Sequence, residues 1–176
     1  MINEIGGGVM TYGVKAIANL LIDTAKEKGS HLDQMKLQKL VYIAHGWHLA
    51  IEGEPLFKEE IQAWQYGPVI PTLYNEFRNC GRGAITDYAT DIEVSTDDLN
   101  YSFVAPQVKP EDRNVKELVD KIWDVYGGYT GPQLSNLTHM PGTPWDSVYK
   151  ACPKSPIPND LIREHFVELS QARNAR

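Results

Sequence analysis

The stretch DQMKLQKLVYIAHGWHLAIEGEP, residues 33–55, carries the clearest structural signal in the sequence. Asp33 is a favourable N-cap residue, and Gly53 followed by Pro55 is typical of a helix end. Between these limits, side chains recur at the spacing of one helical face: Leu37, Leu40, Val41, Ala44, His48 and Ile51. The sequence therefore predicts a long helix that packs on a core through this stripe.

Helical signals also occur on both sides of this stretch. Residues 11–28 carry an apolar face that ends at Gly29, and residues 111–126 carry another that ends at Gly127. Capping patterns predict three more helices, which begin near Thr130, near Thr143 and at Asn159 and of which the last runs to about residue 172. We expect its inward face to consist of Leu161, Ile162, His165, Phe166 and Leu169.

Two stretches favour β-structure. Ile61 to Tyr66 alternates in polarity and predicts a short strand, after which Gly67 and Pro68 are expected to open a helix. That helix would place Ile70, Leu73, Phe77 and Cys80 inward. Residues 82–110 are predicted to form an exposed excursion in which 91–96 and 100–104 pair as a hairpin. It has no basic residue between Arg82 and Lys109, and its acids include Asp87, Asp91, Glu93, Asp97 and Asp98.

The predicted fold is mainly α, a compact bundle of about six to seven helices with a small β element, its short strands near 61–66 and 91–104. Residues 1–10 contain three consecutive glycines and are interpreted as an extension or linker, and residues 11–176 as a single domain. At 176 residues the chain is long enough to bury a sizeable core.

Composition narrows the functional classes. The net charge of −6 disfavours strong nucleic-acid binding and would steer a basic protein towards the chain. No apolar run is long enough to cross a membrane and no signal peptide is recognisable, so we expect a cytoplasmic protein. Cys80 and Cys152 lie far apart and outside any CxxC pair, as expected for two reduced thiols.

Few residues suggest catalysis or a metal. His45 and His48 are three apart on one predicted helix, yet the HExxH pattern is absent, so packed histidines are favoured over metal ligands. The sequence contains no GxSxG, Walker A or GxGxxG motif. We therefore predict no catalytic residue, no metal and no cofactor.

Lys36 and Lys39 are unusual, because they stand near the start of the predicted helix, where the helix dipole disfavours cations. An internal carboxylate, solvent, or an acidic patch on a partner would each stabilise them, and the first two are favoured. Aromatic side chains gather at strand and helix entrances, where they suit either a binding surface or the edge of a core: Trp64, Tyr66, Tyr74, Trp145 and Tyr149.

Three separated segments, in order and in register, resemble the Panacea domain of SocA-like antitoxins: LQKLVYIAHGWHLA at 37–50, AWQYGPVIP at 63–71, and Leu137–Thr138–His139 followed by Pro144–Trp145. The resemblance covers about residues 11–152, with the C-terminal helix at 159–172 less characteristic. Its signature positions here are Lys36, Leu37, Gln38, Lys39, Tyr42, Trp47, Trp64, Tyr66, Gly67, Pro68, Thr138, His139 and Trp145. They are expected either to lock the fold or to contact a toxin, with Lys36, Gln38 and His139 in one polar network.

The resemblance implies an antitoxin that neutralises a toxin encoded nearby through direct protein binding. It also implies an alternative, an adaptor that delivers the toxin to a ClpXP-type protease. A third hypothesis is an enzyme that uses His139 with Lys36 or Asp146. Whether the chain forms a homo-oligomer is left open.

Overall fold

The computed structural model describes residues 11–95 and 100–174, so the expectations for residues 1–10 and for Asp97 and Asp98 lie outside the described residues. The described residues form seven α-helices: α1 Val14–Glu27, α2 Gln34–Glu52, α3 Pro71–Phe77, α4 Arg113–Tyr126, α5 Gly131–Thr138, α6 Pro144–Ala151 and α7 Asn159–Asn174. They also form two antiparallel hairpins, β1 Gln62–Trp64 with β2 Gly67–Val69, and β3 Asp91–Val94 with β4 Tyr101–Val104. The mainly helical prediction is confirmed.

Helix α2 lies at the centre of the fold. Helices α1, α3, α4, α5 and α7 and strand β2 all pack against it, and every residue from Lys36 to Leu49 is buried. The predicted apolar stripe is buried as expected apart from Ile51, which is 66% exposed because it lies in the last turn, beyond the packed part of the helix. The prediction of a single buried face was therefore too narrow.

Most of the predicted helix ends are confirmed. The Asp33 carboxylate accepts a hydrogen bond from the Lys36 N–H at 2.8 Å, and Gly53 ends α2 in the left-handed conformation. Thr130 and Gln133 form a complete capping box at α5, and the Thr143 side chain caps α6. Local chemistry thus sets where these helices begin and end.

The first hairpin corrects one prediction. Gly67 and Pro68 belong to strand β2, and the helix begins only at Pro71, after the N-cap residue Ile70. Pro68 is tolerated there because it faces Ala63, whose N–H and C=O are bonded to Ser155 and Lys154 on the other side of β1. No ladder hydrogen bond is lost at Pro68.

The acidic stretch is exposed only in part. Ile85, Ala89 and Val108 are buried, and the Asn19 side chain bonds both the N–H and the C=O of Ala89, at 2.8 and 3.0 Å. Strands β3 and β4 pair as predicted, and all eight of their residues are exposed. The expectation of an exposed excursion is right for the hairpin and wrong for the segments that flank it, which pack on the core.

Helix α7 closes the core over α2. The Phe166 ring meets the rings of Tyr42 and Trp47 at 6.0 and 5.3 Å between centroids, and a Cβ at Gly46 would lie 2.2 Å from Phe166. A side chain larger than glycine at position 46 would therefore displace the helix. Leu169, expected to face inward, is 37% exposed.

Among the described helices, none combines the length and the apolar character needed to cross a bilayer.

Candidate functional site

The turn between β1 and β2 is held by side chains from α5 and α6. The Trp145 indole N–H donates to the Trp64 carbonyl at 2.7 Å, and the Ser135 hydroxyl donates to the Tyr66 carbonyl at 2.9 Å. Between these two carbonyls, the Gln65 carbonyl lies 3.2 Å from His139 Nε2. Two carbonyls of the turn therefore accept hydrogen bonds from the body of the protein and the third lies against the His139 ring, which fixes the turn's conformation.

Gly67 is required at the end of this turn. Its φ of 102° lies in the region that favours glycine, and a Cβ there would meet Thr138 Oγ1 at 2.7 Å and Lys39 Cε at 2.8 Å. Thr138 is buried at the end of α5, where its hydroxyl donates to the Ser135 carbonyl. The signature glycine and threonine thus let β2 approach α2 and α5 closely.

The signature polar residues of α2 bond backbone groups and not carboxylates. The Lys39 ammonium, on a side chain 1% exposed, donates to the Pro68 carbonyl at 3.0 Å. Burial lowers the pKa of Lys39 to about 7, because the charged form loses its hydration. The Gln38 amide bonds both the N–H and the C=O of Ile70, at 2.9 and 3.3 Å. Both residues therefore fix β2 and the start of α3.

Lys36 acts at a different place. Its ammonium donates to the Gly127 carbonyl, at the end of α4, at 2.6 Å and lies 5.1 Å from the Trp123 ring. Burial lowers its pKa, opposed by the nearby Asp33 carboxylate. The favoured stabilisation by a carboxylate or solvent is wrong for Lys39, which is buried and bonds the Pro68 carbonyl, and holds in part for Lys36, which bonds the Gly127 carbonyl and has Asp33 nearby. The proposed network of Lys36, Gln38 and His139 is also wrong, because the three bond separate backbone segments.

The remaining signature residues fall into a buried and an exposed group. Tyr42 and Trp47 are buried on α2 against α7, and burial raises the pKa of the Tyr42 hydroxyl. Trp145 is buried too, with its ring 3.8 Å from that of His139 and stacked on Tyr149 at 4.7 Å. In contrast, Tyr66 is 62% exposed. The signature set thus builds a support from which the tip of the turn projects.

A groove of about 630 Å³ lies beside the turn, bordered by the start of α2, by α3 and by β1–β2. The Trp64 and Tyr74 rings meet at 4.9 Å, and the Lys154 ammonium lies 5.9 Å from the Trp64 ring. Other lining residues are Gln34, Met35, Tyr66, Val69 and Arg82. The groove combines aromatic walls with cations at its rim, a composition common at protein-binding hot spots.

A second depression, of about 460 Å³, lies between α2 and α4. None of the signature residues lines it; its walls include His48, Ile51, Glu52, Asp112 and Glu117. The groove beside the turn is therefore the candidate site, because the signature residues converge there.

His45 and His48 have separate protein contacts. His45 is buried, with Nε2 2.9 Å from Asn159 Oδ1, and His48 Nδ1 lies 2.8 Å from the Glu54 carbonyl. Burial lowers the pKa of His45 to about 4, so its ring is neutral at physiological pH. Within the part of the chain that the structure describes, no three His, Cys, Asp or Glu side chains gather as a metal-binding group.

The residues of the enzyme hypothesis are engaged elsewhere. His139 Nδ1 lies 2.6 Å from the Ser135 carbonyl, Lys36 bonds Gly127, and the Asp146 carboxylate pairs with Lys150 at 2.8 Å. Hydrogen bonding to Lys150 lowers the pKa of Asp146, which keeps this carboxylate ionised. The contacts of these three residues within the described ranges thus lead to separate parts of the fold.

Sequence reasoning missed two residues that shape the site. Ser135 bonds the turn, and its position four residues before His139 places both on one face of α5, a spacing that could have drawn attention to it. Asn19 anchors the segment before β3, but a lone asparagine among the buried positions of a helix gives no signal of such a distant partner.

Comparisons with known proteins match the chain to one family and to one named protein. The family described as antitoxin SocA-like, Panacea domain, matches residues 37–146, a span that includes most of the residues that hold the turn. The chain is 33% identical over 136 residues to a protein named antitoxin SocA from Caulobacter vibrioides (strain NA1000 / CB15N), and the match covers 76% of this chain and 69% of that protein. No solved structure matches the chain.

Proposed function

The chain belongs to the SocA-like antitoxin family that carries the Panacea domain, and from this premise we propose that it neutralises a cognate toxin, encoded nearby, by binding it directly. The contact surface would comprise the β1–β2 turn, the adjoining groove and the acidic stretch that contains β3 and β4. Binding would take place in the cytoplasm, without a cofactor.

The observation that carries this proposal is the support of the turn. Side-chain hydrogen bonds from Ser135 and Trp145 hold the Tyr66 and Trp64 carbonyls, and the His139 ring lies against the Gln65 carbonyl, while the side chain of Tyr66 and part of that of Trp64 remain accessible. A rigid turn loses little conformational entropy when a partner binds, and aromatic side chains supply much of the energy at protein interfaces. A preorganised aromatic surface of this kind suits a binding protein.

Growth rescue tests the proposal. The chain would be co-expressed with each neighbouring reading frame, and we expect one of these frames to arrest growth alone and to be tolerated in its presence. If the wild-type chain rescued growth with none of the neighbouring reading frames, the proposal would be overturned. A stable complex of the two purified proteins would establish that the rescue is direct.

Matched variants would locate the contact. Tyr66→Ala should weaken the complex by at least about 30-fold in Kd if Tyr66 is a binding hot spot. Ile51→Ala is the control, because Ile51 is 66% and Tyr66 62% exposed, and Ile51 lies about 24 Å along α2 from the groove residue Met35. Equal affinities of the two variants would exclude the turn from the contact.

The same co-expression strains distinguish neutralisation by binding from the protease-adaptor alternative. Neutralisation by binding leaves the amount of toxin constant inside a stable complex. Delivery to a ClpXP-type protease would instead lower the amount of toxin, and the fall would disappear in a strain without the protease. Quantitative immunoblotting of the toxin in both strains separates these outcomes.

We favour binding over catalysis because His139, Lys36 and Asp146 bond separate parts of the fold. Full rescue by a folded His139→Ala variant would exclude a catalytic role for this histidine. We expect a partial loss, caused by a loosened turn, with the residual affinity visible by titration calorimetry.

A further inference from the structure

The hairpin of β3 and β4 has one apolar face that is open to solvent. Cross-strand pairing places Ile92 opposite Phe103 and Val94 opposite Tyr101, so these four side chains share one face. The Tyr101 and Phe103 rings meet edge to face at 6.0 Å, in agreement with this arrangement. All four residues are between 62% and 69% exposed.

The hairpin is tied to the body at its base. The Lys15 ammonium pairs with the Asp91 and Glu76 carboxylates at 3.1 and 3.0 Å and donates to the Thr90 carbonyl. The Glu76 carboxylate also accepts from the Thr90 N–H at 2.9 Å. The base is therefore held by α1 and α3, while the apolar face beyond it is uncovered by the described residues.

Such a face is costly to leave in water. An isolated two-stranded hairpin is marginally stable, and contiguous exposed apolar patches on soluble proteins usually mark interaction sites. Two large aromatic residues and two branched aliphatic residues together resemble the apolar centre of a protein interface.

The charge around the hairpin indicates what kind of molecule binds its apolar face. The opposite face carries Glu93 and, paired with Lys15 of α1, Asp91, and the segment from 83 to 108 itself contains acids but no Lys or Arg. A second copy of this chain, with its own net charge of −6, would bring the same acidic segment against it. Like charge likewise disfavours anionic lipid headgroups and nucleic acid.

We infer that the apolar face of the β3–β4 hairpin docks on a protein surface that combines an apolar groove with a basic rim. The inference rests on the proposed function, because it assigns this surface to the cognate toxin. Ile92, Val94, Tyr101 and Phe103 fill the groove, while Glu93 and its acidic neighbours attract the basic rim and raise the rate of association. The groove at Trp64 carries Arg82 and Lys154 at its rim, so the chain presents two contact surfaces that differ in charge.

The test uses the full chain and the neighbouring toxin that the wild-type chain neutralises. A variant with Tyr101→Ser and Phe103→Ser should bind this toxin at least about 30-fold more weakly, whereas Ser102→Ala, between them on the opposite face, should bind as wild type does. Circular dichroism should show both variants folded, since these side chains are exposed. Unchanged affinity of the double variant, while the wild-type chain still rescues growth, would overturn this inference and leave the proposed function intact.

A charge reversal tests the basic rim. Glu93→Lys should slow association by at least about tenfold at low salt and much less at high salt, because exposed charges are screened. Glu164→Lys is the control, an identical charge change at an exposed position of α7, which packs on α2 and α6. Equal association rates for the two variants would contradict the charge assignment.

Analytical ultracentrifugation of the wild-type chain alone tests whether a second copy of this chain, and not the toxin, covers the apolar face. We expect a monomer at micromolar concentration. A dimer that dissociates in the Tyr101→Ser, Phe103→Ser variant would show that a second copy covers the face and would overturn the assignment to the toxin.

Discussion

Helix α2 and the β3–β4 hairpin both carry apolar side chains but lie in opposite environments. The 14 residues from Lys36 to Leu49 are all buried, whereas all eight residues of the hairpin strands are exposed. The buried helix contains two lysines, a glutamine and two histidines, and the exposed hairpin contains a tyrosine and a phenylalanine. Burial here follows position in the fold more closely than it follows residue type.

The polar residues of α2 show what such burial requires. Lys36, Gln38, Lys39 and His45 each bond a group on another element: Gly127, Ile70, Pro68 and Asn159 respectively. A buried polar group without a partner costs about 1–3 kcal/mol, so these bonds specify how the neighbouring elements are placed. The central helix therefore organises the turn, and the hairpin is free to vary without disturbing it.

The largest expected difference between the two regions involves two phenylalanines. Phe166 is 4% exposed against α2 and Phe103 is 65% exposed on the hairpin. Phe166→Ala should lower the free energy of unfolding by about 3–5 kcal/mol, because it leaves a cavity beside Tyr42 and Trp47. Urea unfolding followed by circular dichroism measures this loss. A loss below about 1 kcal/mol would mean that α7 does not pack on α2 as described.

Acid should destabilise the protein through His45. An unfolded histidine titrates near 6.5 and folded His45 near 4, so the unfolded state takes up the proton first as the pH falls. The free energy of unfolding should thus fall between these two pH values, by about 3 kcal/mol in all, and this contribution should level off below pH 4. The buried Nδ1 has no hydrogen-bond partner among the described residues, so a second ring N–H would be left unsatisfied.

His45→Gln is the control for this pH dependence, because glutamine has a similar reach and does not titrate. As the pH falls from about 6.5 to 4, the unfolding free energy of the wild type should decrease relative to that of the variant, and outside this range the difference between them should stay constant. Carboxylates also titrate in this range but contribute equally to both proteins. A constant difference across the range would show that His45 is accessible to protons in the folded state.

A smaller effect should follow from removal of the α2 cap. Asp33→Ala deletes the acceptor of the Lys36 N–H and should lower the free energy of unfolding by about 1 kcal/mol. Asp33→Asn retains a capping oxygen and should stay within a few tenths of a kcal/mol of wild type. If both variants lost stability equally, the carboxylate charge beside Lys36 would be the important feature and not the cap.

The smallest effect should come from the hairpin. Phe103→Ala removes a side chain that is mostly in contact with water, so the free energy of unfolding should change by no more than about 0.5 kcal/mol. The same urea titration as for Phe166→Ala applies. A loss comparable to that of Phe166→Ala would mean that the apolar face packs on another part of the chain.

Much of the fold was predictable from local patterns. Caps at Asp33, Thr130 and Thr143 and the glycine stop at Gly53 are short-range chemistry, and each was found where the sequence indicated. The strand at Gly67–Pro68 was mistaken for a helix start because the two residues suit either context. Only the pairing with residues 62–64 shows that Gly67 and Pro68 belong to a strand and not to the start of a helix.

For the candidate site, the sequence supplied the residues and the fold supplied their roles. The three segments that resemble the Panacea domain contain most of the residues around the turn, yet nothing in them reveals that Lys39 bonds Pro68 or that Trp145 bonds Trp64. Residue type alone left Lys36 and Lys39 ambiguous, since a carbonyl oxygen accepts a hydrogen bond from an ammonium group as a carboxylate does and leaves no mark in the sequence.

The sequence by itself determined the helical class of this protein, most of its helix ends and its family, because these depend on neighbours within a few residues or on motifs in register. The tertiary structure alone decided which faces are covered: α2 on all sides between Lys36 and Leu49, and the β3–β4 hairpin, among the described residues, on neither of its faces. The physical reason is that burial depends on long-range packing of all the elements together, and a periodic pattern records only that a face is apolar and not what covers it.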